Sequence, residues 1–334
     1  MKGKDEMNSQ KPFKTYNQQL KILRSRNIEI NDGSKAIRIL KREGYYNIVN
    51  GYKEIFLDTA LTASKGKDWY KPGTKFDYLY ALYDFDRSLK RCLLGYILKM
   101  ETFLKTQIAY FFSDEYRQNF SYLDINNFDS SNPQAVTKLI AKVSNVITNN
   151  SAEQIQGGQV FHYLSNYKEL PLWVLINKMT LGETYHLFDV LQPPIKTKIL
   201  KEIVHMYEHE YKTSINYNMN DTRSLSEIFR FINGYRNICA HDARLFNTVI
   251  RHGKGKIPKI THFHKKTSIP FKSRLFDCIV ILGLFLSRND YKKLISQISL
   301  SLNDLQKHLP SNLYNMVLIQ MGFSKSWKQD ISLP

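Results

Sequence analysis

Residues 76–112 read FDYLYALYDFDRSLKRCLLGYILKMETFLKTQIAYFF, and this stretch decides the fold class. Leu79, Leu82, Phe85, Leu89, Leu93, Ile97, Met100, Leu104, Ile108 and Phe111 recur at steps of three and four. That spacing gathers side chains onto one face of an α-helix. Lys90, Lys99 and Lys105 fall off the stripe. A helix with so long an apolar face buries it against other helices or a sheet. No alternating strand pattern and no internal repeat occurs elsewhere, so the expected architecture is all-α.

On the N-terminal side, Tyr16–Arg26 carries Leu20 and Leu23 on one flank, and Lys35–Glu43 follows candidate caps Asp32 and Ser34 before a stop at Gly44. Two short helices around a turn are compatible with a DNA-reading motif or with a small packed subdomain. Thr59–Thr74, rich in Lys, Gly, Ser and Pro, reads as a linker. On the C-terminal side, Ser113–Pro133 reads as a polar loop, Ala135–Ile147 as a helix and Asn149–Gln159 as a loop. Pro171 opens a helix through Trp173 and Ile176, which Gly182 interrupts before Tyr185–Leu191. Pro193-Pro194 starts another that reaches Tyr211, and Leu225, Ile228, Phe229 and Ile232 stripe a helix running into RNICAH. The Trp173 region and the 21 tyrosines could stack on bases, but a place in the aromatic core is their default.

Only 15 glycines and 10 prolines occur in 334 residues, too few for the tight turns of sandwiches and barrels. Lys and Arg number 48 against 30 Asp and Glu, a net charge of +18 that draws polyanions. Nucleic acid, an anionic membrane or a merely solvated basic surface would each fit. Cys92, Cys239 and Cys278 lack CxxC spacing, which suits a reducing compartment. The N-terminal MKGKDEMNSQKPFK has no apolar signal region, and Leu275–Leu286 falls short of the roughly 20 apolar residues that span a bilayer. A cytoplasmic protein without membrane partners is therefore expected. His205 and His209 have the spacing of a metal pair, but there is no HExxH, and neither a metal nor another cofactor is expected.

The polar end of the last striped helix is the candidate site. Arg236, Asn237 and His241 lie within YRNICAHD, with Asn237 and His241 four apart on one face and Arg236 about 140° from His241. Either the helix ends near Ala240, or the arginine reaches around, or a second copy supplies the partner. RNA cleavage beside a 2′-hydroxyl wants a base that titrates near neutrality and a cation on the phosphate, and needs no metal. A helix-end His and Arg also commonly satisfy backbone carbonyls. Between Asp242 and Asp277 there is no acidic residue, but nine basic ones, Arg244, Arg251, Lys254, Lys256, Lys259, Lys265, Lys266, Lys272 and Arg274. Laced with His252, His262, His264 and Phe263, this basic loop suits an RNA backbone.

Arg236-Asn237-x3-His241 resembles the R-polar-x3-H signature of HEPN-domain ribonucleases. Ala240-His241-Asp242-Ala243-Arg244-Leu245-Phe246-Asn247 is similar to a block of abortive-infection (Abi) proteins of the AbiD/AbiF type. Lys11-Pro12 with Gln18-Gln19-Leu20, Tyr45-Tyr46 with Gly51-Tyr52, residues 82–87 (LYDFDR), 170–173 (LPLW) and Met321-Gly322-Phe323 with Trp327 follow in that family's order. The resemblance implies a HEPN-like helical bundle that homodimerises, joining two R-x4-H motifs into a composite, metal-independent endoribonuclease site. It implies a role in phage defence, as a toxin held in check, and a structured RNA partner. Arg236 would stabilise the phosphate, Asn237 orient it, and His241 act as base or acid. Asp242 departs from the family's usual polar residue and would tune the histidine or serve as a cap. Glu101 is either an accessory acid from an earlier helix or a surface carboxylate.

The chain thus divides, as read, into an N-terminal helical subdomain (1–60), a HEPN-like core (76–250), a basic loop (251–274) and C-terminal helices packed on the core (275–334). Two rivals remain: a non-catalytic RNA-binding protein using the same patch, and a DNA-binding regulator using Lys14, Lys21 and Arg24.

Overall fold

The computed structural model describes residues 12–151, 158–215, 221–241, 243–250 and 272–331. Its helices run α1 (Tyr16–Ser25), α2 (Gly33–Glu43), α3 (Thr59–Lys65), α4 (Phe76–Glu115), α5 (Pro133–Ser151), α6 (Gln159–Tyr167) and α7 (Leu172–Leu175). They continue with α8 (Leu181–Val190), α9 (Pro193–Tyr211), α10 (Asp221–Ala240), α11 (Leu275–Leu282), α12 (Arg288–His308), α13 (Ser311–Met321) and α14 (Trp327–Asp330). Among the described residues there is no strand, only isolated bridges such as Leu57 with Tyr70. The fold is all-α.

The helices start and stop where side chains satisfy their end groups. Thr15 and Gln18 form a reciprocal capping box on α1, and Asp32 accepts from Lys35 N at 2.8 Å to open α2. Gly44 closes α2 at φ +80°, a conformation open to a residue without a Cβ. Three readings change. The stretch read as a linker begins with α3, opened by Asp58 accepting from Leu61 N. Gly182 does not interrupt a helix but sits in the first turn of α8, behind a Thr180–Glu183 capping box. Residue Gln159, read as the end of a loop, opens α6.

Two compact units are present, residues 1–88 with 301–316, and residues 89–300 with 317–334. The division falls inside α4, α12 and α13 and not at the loops from which the sequence bounds were drawn, because α4 continues unbroken for 40 residues. In the first unit Leu20 and Leu23 of α1 meet Ala36, Ile39 and Leu40 of α2 in a small core. The LYDFDR block serves this unit. Tyr52 donates to buried Asp86 at 2.7 Å, while Tyr83 and Arg87 both bond Glu43 Oε2. Lys14, Lys21 and Arg24, named for the DNA-binding reading, are exposed.

The second unit is centred on α10, which packs against α8, α9 and α11. Phe103, Phe285, Phe229 and Phe188 form a continuous aromatic chain with centroid spacings of 6.3, 5.9 and 5.1 Å. All eight residues of α11 are buried. Each fully buried Leu, Ile or Phe contributes about 1.5–3 kcal/mol, so this packing, not helix propensity, holds α10 in place. The apolar stripe of α4 is buried as expected except at its end, where Phe112 replaces Phe111. Lys90 and Lys105, read as off the stripe, are buried too. No helix among the described residues is long and apolar enough to cross a membrane.

Candidate functional site

The last turn of α10 carries the motif residues. Its apolar face, Leu225, Ile228, Phe229, Phe231, Ile232 and Tyr235, is buried, which leaves Asn237 and His241 on the outward side of its last turn. Asn237 and His241 are exposed and Arg236 is half-buried, its side chain 27% accessible. His241 N donates to Asn237 O at 2.9 Å, so the helical hydrogen-bond pattern persists up to the histidine. The helix does not unwind before His241, and the angular separation from Arg236 stays near 140° at the backbone.

Arg236 is tied to α4. Glu101 is buried, not on the surface, with Oε1 2.8 Å from Lys105 Nζ and Oε2 4.0 Å from Arg236 Nε. Arg236 Nε and Glu101 Oε2 are both shielded from solvent and make no hydrogen bond in the structure, so each keeps unused bonding capacity beside the other. Lys90, a turn group lower in number on the same helix, donates to Ala243 O at 3.2 Å just past the histidine. Lys105 and Lys90 were read only as residues off the stripe of α4, not as neighbours of the motif. The i,i+4 spacing of Glu101 and Lys105 is a local signal for that pair, whereas nothing local marks Lys90.

The segment after the motif is anchored at both ends. The Tyr235 hydroxyl faces Thr248 O at 3.2 Å and Ser273 O at 3.4 Å, and burial pushes its pKa up, so it stays a donor. Ile250 N donates to Ser273 O at 3.0 Å. Of the nine basic residues, Arg244 is half-buried, Lys272 is exposed, and Arg274 gives its guanidinium to Gln320 O. Arg251, Lys254, Lys256, Lys259, Lys265 and Lys266 lie outside the described residues, as do Asp242 and the three histidines of that loop.

The His205/His209 pair is exposed, and its neighbouring carboxylates have other work. Glu208 accepts from Ile215 N and Glu210 from Arg288 N, both at 2.7 Å. Among the described residues no cluster of three or more His, Cys, Asp or Glu is placed to hold a metal.

The sequence model of the family described as Abi-like protein matches residues 38–247, which take in the first-unit network around Asp86, the Glu101–Lys105 pair and the motif on α10. No curated protein and no solved structure matches the chain. The match spans well over half of the 334 residues, and the chain belongs to the Abi-like protein family, with a role in abortive infection against phage.

Proposed function

We propose that the protein is a metal-independent endoribonuclease of the HEPN type that acts in abortive infection. The observation that carries this reading is that one short stretch at the end of α10 holds both an exposed His241 and Arg236, whose Nε lies 4.0 Å from buried Glu101 of α4. His241 takes the 2′-hydroxyl proton or returns one to the leaving oxygen. Arg236 neutralises the phosphate as charge develops, and Asn237 orients it. Because Arg236 and His241 diverge around one helix, the working site is composite, with the histidine of one copy facing the arginine of another in a homodimer. Arg244, Lys272 and the basic segment between them contribute positive field for the RNA backbone.

The test compares wild type with the Arg236→Ala/His241→Ala double variant in EDTA, on total bacterial RNA and structured transcripts. Cleavage by wild type alone, leaving 2′,3′-cyclic phosphate ends, is the expected result. Salt-dependent RNA binding by both proteins with cleavage by neither refutes the enzyme and leaves an RNA-binding protein of the same fold.

A further inference from the structure

Trp173, expected in the core, is 55% exposed, and Tyr110 on the facing part of α4 is 66% exposed. Large aromatic groups left in water are informative because burial is their default. Both line a cavity of about 460 Å³ together with Lys105, Asp114 and Asn177. A second cavity of about 370 Å³ adjoins it, sharing Ser113 and Trp173 and bounded by Arg117, Gln118, Phe120 and Glu169. Each lies within the roughly 300–1,000 Å³ of small-ligand pockets. The indole is therefore the common wall of a two-chambered groove.

This groove is built and not a gap in packing. Asn177 donates to Trp173 O at 2.8 Å, and Tyr122 donates to Leu170 O at 2.7 Å, so the backbone beneath the indole is held from both sides. Phe120 at the far chamber has φ +55°, a left-handed conformation that bulky side chains adopt only where the surroundings impose it. At the near end, Lys105 lines the first chamber and also pairs with Glu101 at 2.8 Å, whose other oxygen faces Arg236. One ion pair thus separates the groove from the candidate site.

We propose that this groove is a nucleobase-binding subsite in which Trp173 and Tyr110 stack unpaired bases of a single-stranded RNA whose backbone continues to Arg236. The inference deepens the RNA reading of that site and rests on it. Aromatic walls offer every base a π-face. Each chamber carries one carboxylate and one cation, Asp114 with Lys105 in the first and Glu169 with Arg117 in the second. Neither gathers the excess positive charge a phosphate needs, while the carboxylates can accept from exocyclic amino groups. Bases therefore suit the chambers, and the net charge of +18 favours association with the polyanionic strand as a whole. A duplex has its bases stacked internally and cannot fill the chambers.

The test uses a fluorescein-labelled eight-nucleotide single-stranded RNA and a blunt RNA duplex, with anisotropy on the full chain. Trp173→Ala and Tyr110→Ala are compared with wild type and with Tyr46→Ala, an exposed aromatic outside the groove. Unchanged circular dichroism and melting confirm that the variants fold. Loss of a stacked base weakens binding by about 5- to 150-fold, so Trp173→Ala should lose that much for the single strand, with duplex affinity and Tyr46→Ala unchanged. Equal binding by Trp173→Ala and wild type, or equal losses for single strand and duplex, overturns the proposal, as does wild type that binds no single strand. Cleavage separates this from the enzyme reading. If wild type cuts no RNA but Trp173→Ala still loses single-strand affinity, the groove stands and the nuclease falls. If wild type cuts and Trp173→Ala cuts and binds identically, the nuclease stands and the groove falls.

Discussion

Glu101→Gln removes one buried charge at nearly constant shape, and the geometry fixes what should follow. At an effective dielectric near 20, a carboxylate 2.8 Å from Lys105 Nζ gains about 6 kcal/mol, and one 4.0 Å from Arg236 Nε about 4 kcal/mol. Desolvation of several kcal/mol per ion offsets most of this while the triad is intact. With the glutamate neutralised, the attractions vanish but two partly buried cations remain, and stranding a buried charge costs about 3–5 kcal/mol. Gln keeps an acceptor for Lys105, so the lower end applies, about 3 kcal/mol. In a domain of 150–250 residues each kcal/mol moves the melting midpoint by about 2–4 °C, giving a fall of about 6–12 °C. Differential scanning calorimetry on wild type, Glu101→Gln and Glu101→Gln/Lys105→Met measures it. The double variant removes one stranded cation and should recover part of the loss. A single variant melting within about 1 °C of wild type would refute the reasoning.

Three further outcomes are expected. Burial pushes the Asp277 carboxyl up to about 6 despite backbone N–H groups from Arg274 at 2.8 Å and Lys272 at 3.1 Å. A raised folded pKa gives stability that is complete below the unfolded value and lost as pH rises through about 6, so Asp277→Asn should gain on wild type between pH 4 and 7, by up to about 3 kcal/mol. Thermal melts across that range check it, and a gap that shrinks with rising pH contradicts it. Gly322 sits at φ +88° with its missing Cβ 3.0 Å from Arg274 Cβ, so Gly322→Ala should lose about 1–3 kcal/mol in chemical denaturation; an unchanged midpoint would show that the turn relaxes freely. Tyr52→Phe deletes a 2.7 Å donor to buried Asp86 and should lose about 1.5–3 kcal/mol in the same assay, whereas a neutral result would show that other groups satisfy the carboxylate.

Sequence revealed what depends on periodicity and caps. The stripe of α4, the proline start of α9 and the stop at Gly44 all rest on local signals, and each stands where it was read apart from the exchange of Phe111 for Phe112 at the end of the stripe. Local signals failed where tertiary surroundings decide. α6 buries only Val160, so its nine residues carry no stripe to detect. α3 buries nothing and rests on the Asp58 cap, which a Lys-, Gly- and Ser-rich stretch masks. Trp173 sits in an apolar run, LPLWVLI, whose leucines, valine and isoleucine are all buried, so composition alone put it in the core. The motif on α10 was visible as residues, but the approach of Glu101 to Arg236 joins positions 135 apart in the chain and leaves no trace in spacing.

The hydrogen bond from Ile250 N to Ser273 O, with the Tyr235 hydroxyl between Thr248 O and Ser273 O, makes residues 248–250 and 272–274 a fixed pair of posts. Whatever course the chain takes between them, it departs and returns at one place, a few residues beyond His241. The approach of Arg236 on α10 to Glu101 on α4 is made by residues outside that interval.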